Sequence, residues 1–127
     1  MSAPTVLLID DEEALRTVLK TALEDAGFTV TPAENGSAAI AALEQGRFDL
    51  IITDVIMPGK DGIEVLSELH RIHSGIPVIV MSGGGRMPPE QYLGMAQKFG
   101  ARAILEKPFR MRELVETAKR VLALKDT

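Results

Sequence analysis

The sequence predicts an α/β fold, a doubly wound parallel sheet of five strands with five helices. Two observations lead to this prediction. Five short apolar runs, which suit strands buried on both faces, alternate with segments whose apolar residues recur at helical spacing. Strict alternation of strand and helix favours right-handed crossovers between parallel strands. The 127 residues are enough for one domain with one substantial core.

The predicted strands are continuous apolar runs rich in β-branched residues. They span residues 5–9, 29–33, 50–53, 77–82 and 103–106. A continuous apolar run, without alternation of polar and apolar residues, indicates a strand that is covered on both faces.

Apolar residues at helical spacing predict the helices that separate and follow these strands. The repeating positions are Ala14, Leu15, Val18, Leu19, Ala22 and Leu23 in the first helix, Ile63, Val65, Leu66, Leu69 and Ile72 in the third, and Leu114, Val115, Ala118, Val121 and Leu122 in the last. A short second helix is predicted at 38–44 with Ser37 as its N-cap, and a fourth at about 90–99. Gly27 and Gly46 stand where the C-terminal caps of the first two helices belong.

The composition excludes several classes of function. Without cysteine, the chain has no disulfide, no thiol nucleophile and no cysteine-ligated metal. A net charge of −4 without a basic cluster argues against direct nucleic-acid binding, which depends on neutralising phosphates. No apolar segment is long enough to span a bilayer, and the N-terminus lacks the features of a secretion signal. We therefore expect a soluble, cytoplasmic protein without membrane insertion.

Charged residues follow three of the predicted strands. The acidic pair Asp10-Asp11 follows the first strand, Asp54 the third and Lys107 the fifth. Because the carboxyl ends of parallel strands lie on one edge of the sheet, we expect these side chains to converge there. The crevice above that edge is the predicted functional site, since folds of this class bind ligands there.

Five short segments occur in order along almost the whole chain: Ile9-Asp10-Asp11-Glu12, Asp54-Val55-Ile56-Met57-Pro58-Gly59, Asp61-Gly62, Ser82, and Lys107-Pro108-Phe109. With them the chain resembles the receiver domains of two-component response regulators, in particular the CheY-like single-domain group. The resemblance implies the flavodoxin-like strand order 2-1-3-4-5. The length of 127 residues leaves no room for an output domain beside one receiver domain, so we expect residues 1–127 to be a single domain whose output passes through a partner.

Three carboxylates on one sheet edge repel one another, and a divalent cation would relieve that repulsion. Mg²⁺ takes oxygen ligands, so Asp10, Asp11 and Asp54 supply donors of the right kind. The resemblance adds the backbone carbonyl of Ile56 as a ligand and implies that Asp11 is the more direct ligand of the acidic pair. We therefore expect Mg²⁺ as the cofactor.

The resemblance implies that Asp54 is a phosphoacceptor, a carboxylate that attacks phosphorus and holds the group as an acyl phosphate. Phosphoryl transfer depends on positioning and charge neutralisation, which Mg²⁺ and the Lys107 ammonium would supply. Ser82 would donate its hydroxyl to a phosphoryl oxygen, and a cis Pro108 would aim Lys107 into the site. Such a protein is a switch that catalyses only its own phosphorylation and dephosphorylation.

The implied partners are proteins. The phosphoryl donor would be a sensor histidine kinase, and a small acyl phosphate could replace it. A histidine phosphotransfer protein could receive the group in a relay. The sequence does not specify the downstream protein target.

The resemblance also implies a switch. In this family, switching couples the residue at the position of Ser82 to the residue three before the lysine, which is commonly aromatic and is Ile104 here. Because an aliphatic side chain lacks the bulk and hydroxyl of that residue, we expect the signal to leave through the loop at 83–89 and the helix after it.

Each site residue also has a structural interpretation. Asp10 could cap the first helix in a capping box with Glu13. Asp54 could be a turn residue, and Lys107 a solvated lysine at a strand end. Ser82 and the three glycines after it could form a plain loop, since the run lacks the spacing of a phosphate-binding loop. The combination of the acidic pair, Asp54 and Lys107 favours the receiver interpretation.

Other functions use the same fold or chemistry: a receiver-like interaction module that is not phosphorylated, a flavodoxin-like binder of a small ligand, and a haloacid-dehalogenase-type phosphatase, which would want Asp where Ile56 stands. His70 and His73 share a helix face and could bind zinc or carry a phosphoryl group, although such residues are more often plain surface histidines. Four apolar side chains could line a partner surface or belong to the core: Tyr92, Met95, Phe99 and Met111.

Overall fold

The computed structural model describes residues 3–54, 71, 75–82 and 101–125. The strands are β1 (Thr5–Ile9), β2 (Thr29–Ala33), β3 (Leu50–Asp54), β4 (Val78–Ser82) and β5 (Ala101–Glu106), and the helices are α1 (Glu13–Asp25), α2 (Gly36–Gln45) and α3 (Met111–Lys125). The strands form one parallel sheet in the order β2-β1-β3-β4-β5, which confirms the predicted fold class and strand order. Of the described helices, none is both long and apolar enough to cross a membrane.

Two predicted helices cannot be compared with the structure. The helix at 90–99 lies outside the described residues, and so does the helix at 63–72 apart from Arg71.

The sheet has a hydrophobic core on each face, and its central strands are therefore buried on both sides. All residues of β3 and β4 are buried, and side chains that alternate along them point to opposite faces. On one face they pack against α2, in a cluster that includes Leu7, Ile9, Ala39, Leu43, Ile51 and Val80. On the other face they pack against α1 and α3, in a cluster that includes Leu8, Leu19, Leu23, Ile52, Leu114 and Ala118. This is the doubly wound arrangement that the sequence predicts.

α1 ends in a Schellman motif, in which Ala26 is the C-cap and the predicted Gly27 is the residue after it. Gly27 has a φ of +100°, in the left-handed region that favours glycine. Its N–H donates to the Glu24 carbonyl at 3.0 Å, and the Phe28 N–H donates to the Leu23 carbonyl at 3.1 Å. Phe28 and Leu23 are both buried in the core cluster beneath α1, so the turn leads the chain directly into β2.

The N-cap of α2 is Asn35, so the prediction of Ser37 as the cap is wrong. The Asn35 side chain accepts a hydrogen bond from the Ala38 N–H at 2.8 Å. Asn is as good a cap as Ser, and a helix that starts at Gly36 gains backbone hydrogen bonds over one that starts later. At the other end, Gly46 is the C-cap as predicted, in an extended conformation with a φ of −154°.

The observed strand bounds differ from the predicted ones at three ends. β3 includes Asp54, and β4 begins at Val78 instead of residue 77. β5 begins at Ala101, before the predicted residue 103, and its pairing with β4 is irregular there, because Val78 pairs with Ala101 but the next residue of β4 pairs with Ala103. The exposed Arg102 is the extra residue, and a pattern of apolar residues gives no sign of such a bulge.

Candidate functional site

Four neighbouring strand ends carry the predicted site residues. Asp10 follows β1, Asp54 ends β3, Ser82 ends β4 and Lys107 follows β5. The Lys107 N–H donates to the Ser82 carbonyl at 2.7 Å, which extends the pairing of β4 and β5 by one bond. All four positions therefore meet at one edge of the sheet, because the strands are parallel.

Three carboxylates approach one another at this edge. Asp10, Asp11 and Asp54 each offer an oxygen atom, and these atoms all lie within 4.8 Å of one another. Asp10 is fully buried and Asp54 is 6% exposed, whereas Asp11 is exposed. Like charges at this separation, two of them removed from water, repel one another and favour a bound cation.

The two oxygens of the Asp10 carboxylate have different surroundings. Oδ1 accepts a hydrogen bond from the Glu12 N–H at 2.9 Å. Oδ2 is buried without a hydrogen-bond partner in the part of the chain that the structure describes, and the Lys107 Nζ lies 3.9 Å from it. A buried anionic oxygen without a partner is destabilising, and a hard cation such as Mg²⁺ would supply one. The donor set therefore fits the predicted metal.

The capping-box interpretation of Asp10 with Glu13 is wrong. The N-cap of α1 is Glu12, which makes no side-chain cap hydrogen bond. Asp10 stands before the cap, and its bond to the Glu12 N–H closes a local turn of the Asx type between β1 and α1. The Asp10 side chain thus shapes the loop that also carries Asp11.

The Lys107 ammonium lies against the Asp54 carboxylate. Nζ donates to the Asp54 Oδ2 at 2.6 Å, and the lysine side chain is 23% exposed. Lys107 is therefore a paired, largely buried lysine and not a solvated one. The peptide bond between Lys107 and Pro108 is cis, as expected from the resemblance.

Burial of Asp10 and the charges around Lys107 shift two pKa values upward. Burial raises the pKa of Asp10, and the charges of Asp54 and Asp11 add to the rise against the opposing effects of the Glu12 N–H and Lys107. Burial lowers the pKa of Lys107, but the hydrogen bond and charge of Asp54, with the charge of Asp10, outweigh it, so that the pKa lies above its ordinary value. Lys107 is therefore a cation at neutral pH, and the site favours further positive charge.

Arg16, which the sequence analysis does not single out, contacts the acidic loop. Its Nη1 donates to the backbone carbonyl of Asp10 at 2.7 Å. On the other side of the same residue, the Asp10 N–H donates to the Ala33 carbonyl at 3.0 Å. The only sign of Arg16 in the sequence is its position, one turn into the helix that follows the acidic pair.

The remaining predicted residues fall into two groups. Ser82 is 6% exposed, Ile104 is partly buried against the core cluster on the α2 face, and Met111 packs against the cluster under α1 and α3, which favours the core interpretation of Met111. The others lie outside the described residues: Ile56, His70, His73, the loop at 83–89, Tyr92, Met95 and Phe99.

Residues 6–119 match the family model described as the response regulator receiver domain. Over 96% of its length, the chain is 38% identical to the DNA-binding transcriptional regulator NtrC of Azospirillum brasilense and 37% identical to the sensor kinase CckA of Brucella abortus. It spans only 25% and 13% of the lengths of these relatives. The crystal structure of the chemotaxis protein CheY4 of Vibrio cholerae is similar with a TM-score of 0.86 and 31% identity, over 94% of this chain and 99% of that one.

Proposed function

We propose that this chain, which belongs to the response regulator receiver domain family, accepts a phosphoryl group on Asp54 and signals through the change that follows. The observation that carries the proposal is the contact of the Lys107 Nζ with the Asp54 Oδ2 at 2.6 Å, beside two further carboxylates. Phosphoryl transfer to a carboxylate needs a nucleophile, a fixed cation and oxygen ligands for a metal. These residues supply all three.

In the proposed reaction, an Asp54 carboxylate oxygen attacks the phosphorus of the donor and forms a new P–O bond. The bond between phosphorus and the donor breaks, and its electron pair stays on the donor, which is the imidazole of a phosphohistidine or the carboxylate of a small acyl phosphate. Lys107 offsets the charge of the phosphoryl oxygens, and Ser82 donates its hydroxyl to one of them. The product is an acyl phosphate, which water can hydrolyse.

Asp10, Asp11 and Asp54 would hold Mg²⁺, together with the backbone carbonyl of Ile56. When bound, the ion supplies positive charge that neutralises the phosphoryl oxygens during transfer. The buried Oδ2 of Asp10 supports this assignment, because it has no hydrogen-bond donor within the described ranges.

The proposed donor is a sensor histidine kinase, and a histidine phosphotransfer protein could exchange the group in a relay. The relatives include a transcriptional regulator and a sensor kinase, so they do not fix one output. We propose that the phosphorylated domain acts on a protein partner and that its catalysis is limited to its own phosphorylation and dephosphorylation. That residues 1–127 act as a stand-alone protein stays a prediction.

Intact mass spectrometry after incubation with acetyl phosphate and Mg²⁺ tests the proposal. The unmodified chain should gain the mass of one phosphoryl group, and Asp54→Asn should gain none. Addition of EDTA should prevent the gain in the unmodified chain. Asp25→Asn is a matched control, because it makes the same change at an exposed aspartate at the end of α1, and it should be phosphorylated normally.

Two results would argue against the proposal. Phosphorylation that persists in Asp54→Asn would place the acceptor elsewhere. No phosphorylation of the unmodified chain by acetyl phosphate or by a phosphorylated histidine kinase would favour the interaction module that is not phosphorylated.

A further inference from the structure

Arg16 holds the backbone of the loop that carries the acidic pair. Its Nη1 donates to the Asp10 carbonyl at 2.7 Å, and the arginine is half-buried. Because the guanidinium is charged, such a hydrogen bond is stronger than one between neutral groups. The proposed phosphoryl transfer does not use this contact, whose direct effect is on the backbone of the loop.

The contact follows from the geometry of α1. The Arg16 N–H donates to the Glu12 carbonyl at 2.9 Å, which closes the first turn of the helix. Helical side chains lean toward the N-terminus of their helix, so an arginine at this position reaches back over the first turn. It thereby connects α1 to the end of β1.

The hydrogen bond to the Asp10 carbonyl also constrains Asp11. The Asp10 carbonyl and the Asp11 N–H belong to one planar peptide unit. A donor that fixes the direction of the carbonyl therefore also fixes the orientation of the peptide plane that leads to the Asp11 Cα. Two other bonds hold this residue, from the Asp10 N–H to the Ala33 carbonyl at 3.0 Å and from the Glu12 N–H to the Asp10 Oδ1 at 2.9 Å. Neither of them involves the peptide unit between Asp10 and Asp11.

We infer that Arg16 is a positioning residue for the metal site: by holding this peptide unit, it places Asp11 relative to Asp10 and Asp54 and so sets the affinity for Mg²⁺. Asp11 is exposed, so packing in the core does not determine its place. The inference rests on the proposed function, because it takes the three carboxylates to be the metal ligands.

The charge of Arg16 would act in the opposite direction to its positioning role. The guanidinium contacts the backbone of a proposed metal ligand and would repel a divalent cation bound there, so its removal would by itself tighten Mg²⁺ binding. Loss of positioning would weaken binding, by about 10- to 100-fold for groups that orient metal ligands. The sign of the change therefore separates the two effects.

The test is calorimetric titration of the full chain with Mg²⁺, comparing it with Arg16→Gln, Arg16→Lys and Arg112→Gln. Arg112 is the matched control, because its side chain is 78% exposed near the start of α3 and its loss changes the net charge equally. Arg16→Gln should raise the dissociation constant about tenfold. Arg16→Lys should recover much of the affinity, since an ammonium can still donate to a carbonyl, and Arg112→Gln should match the unmodified chain.

A second readout separates positioning from folding. In Arg16→Gln, the Mg²⁺ concentration that gives half of the maximal rate of phosphorylation by acetyl phosphate should rise about tenfold, and the chain should still unfold in one cooperative urea transition in EDTA. Three results would overturn the inference but leave the proposed metal site intact. They are unchanged or tighter Mg²⁺ binding by Arg16→Gln, an equal loss of affinity in Arg112→Gln, and an Arg16→Gln chain that is unfolded in EDTA. An unmodified chain that does not bind Mg²⁺ would overturn both the inference and the proposed metal site.

Discussion

Asp10 is the residue at which stability and function oppose each other. Its carboxylate is fully buried, and one of its oxygens has no hydrogen-bond partner among residues 3–54, 75–82 and 101–125. Burial raises its pKa because the charged form loses water, and the neighbouring charges of Asp54 and Asp11 add to the effect. A bound metal would use this carboxylate as a ligand. The buried charge therefore destabilises the chain without metal, and metal binding would offset that destabilisation.

Asp10→Asn should therefore stabilise the chain in EDTA. The amide oxygen can still accept the Glu12 N–H, while the repulsion from Asp54 and Asp11 disappears. We expect the free energy of unfolding at neutral pH, measured by urea denaturation, to rise by roughly 1 kcal/mol. The same variant should lose the stabilisation that Mg²⁺ gives the unmodified chain.

The pH dependence of this effect has a defined sign. Because the folded-state pKa of Asp10 is raised above its ordinary value of 3.8, its penalty is present above the folded pKa and disappears as the pH falls toward 3.8. The advantage of Asp10→Asn should shrink over the same range. Asp25→Asn is the control at an exposed aspartate, at the end of α1, and should change stability by no more than about 0.5 kcal/mol. If Asp10→Asn were less stable than the unmodified chain in EDTA at neutral pH, the buried Asp10 charge would not be destabilising.

Lys107→Met should destabilise the chain. It removes the ammonium that lies 2.6 Å from the Asp54 Oδ2 and leaves two buried carboxylates without that cation. Breaking a largely buried ion pair at one partner should cost about 2–3 kcal/mol at neutral pH, read from urea denaturation in EDTA. Lys20→Met is the control, because Lys20 pairs with Glu24 on the surface of α1, and it should cost less than about 1 kcal/mol.

The contribution of Lys107 should be lost at alkaline pH. Its folded-state pKa is raised above the ordinary value of 10.5, so the stabilisation is fully present below 10.5 and is lost as the pH rises through the folded pKa. The difference in unfolding free energy between the unmodified chain and Lys107→Met should therefore narrow in that range. A difference that is constant up to strongly alkaline pH would show that packing of the lysine stem, and not its charge, stabilises the site.

At the scale of elements, α2 depends on a cap that the sequence pattern misplaces. Asn35→Ala should lower the free energy of unfolding by about 1 kcal/mol in thermal or urea denaturation, because the Ala38 N–H loses its acceptor. Ser37→Ala is the matched control: Ser37 lies inside the helix, where alanine is favoured, so it should be neutral or slightly stabilising. The reverse ranking of the two variants would restore Ser37 as the cap.

The strands and helices themselves are largely predictable because their signals are local. Continuous apolar runs mark β1, β3 and β4, and Gly27 marks the end of α1 through a φ that other residues avoid. The sequence pattern does not distinguish the cap of α2, since Asn35 and Ser37 satisfy the same local rule and the choice depends on packing. The early start of β5 depends on its pairing with β4, which no local pattern specifies.

At the scale of the whole molecule, the parallel sheet brings the site together. Topology alone predicts that Asp10, Asp54 and Lys107 share an edge, because every strand of a parallel sheet ends on the same side. It does not predict that Lys107 pairs with Asp54 more closely than with Asp10, since side-chain conformations decide this. It also misses Arg16, whose contact is with backbone and depends on how α1 leaves the sheet.

Asp54 can be tested as the phosphoacceptor by locating the phosphoryl group on the chain. After incubation with acetyl phosphate and Mg²⁺, borohydride reduces an aspartyl phosphate to homoserine, and peptide mass spectrometry identifies the modified position. We expect homoserine at position 54, absent when EDTA is present during the incubation. Homoserine at position 10 or 11 would contradict the assignment of Asp54 as the phosphoacceptor. So would the absence of homoserine from every peptide of a chain that binds Mg²⁺ and has been incubated with a phosphorylated histidine kinase.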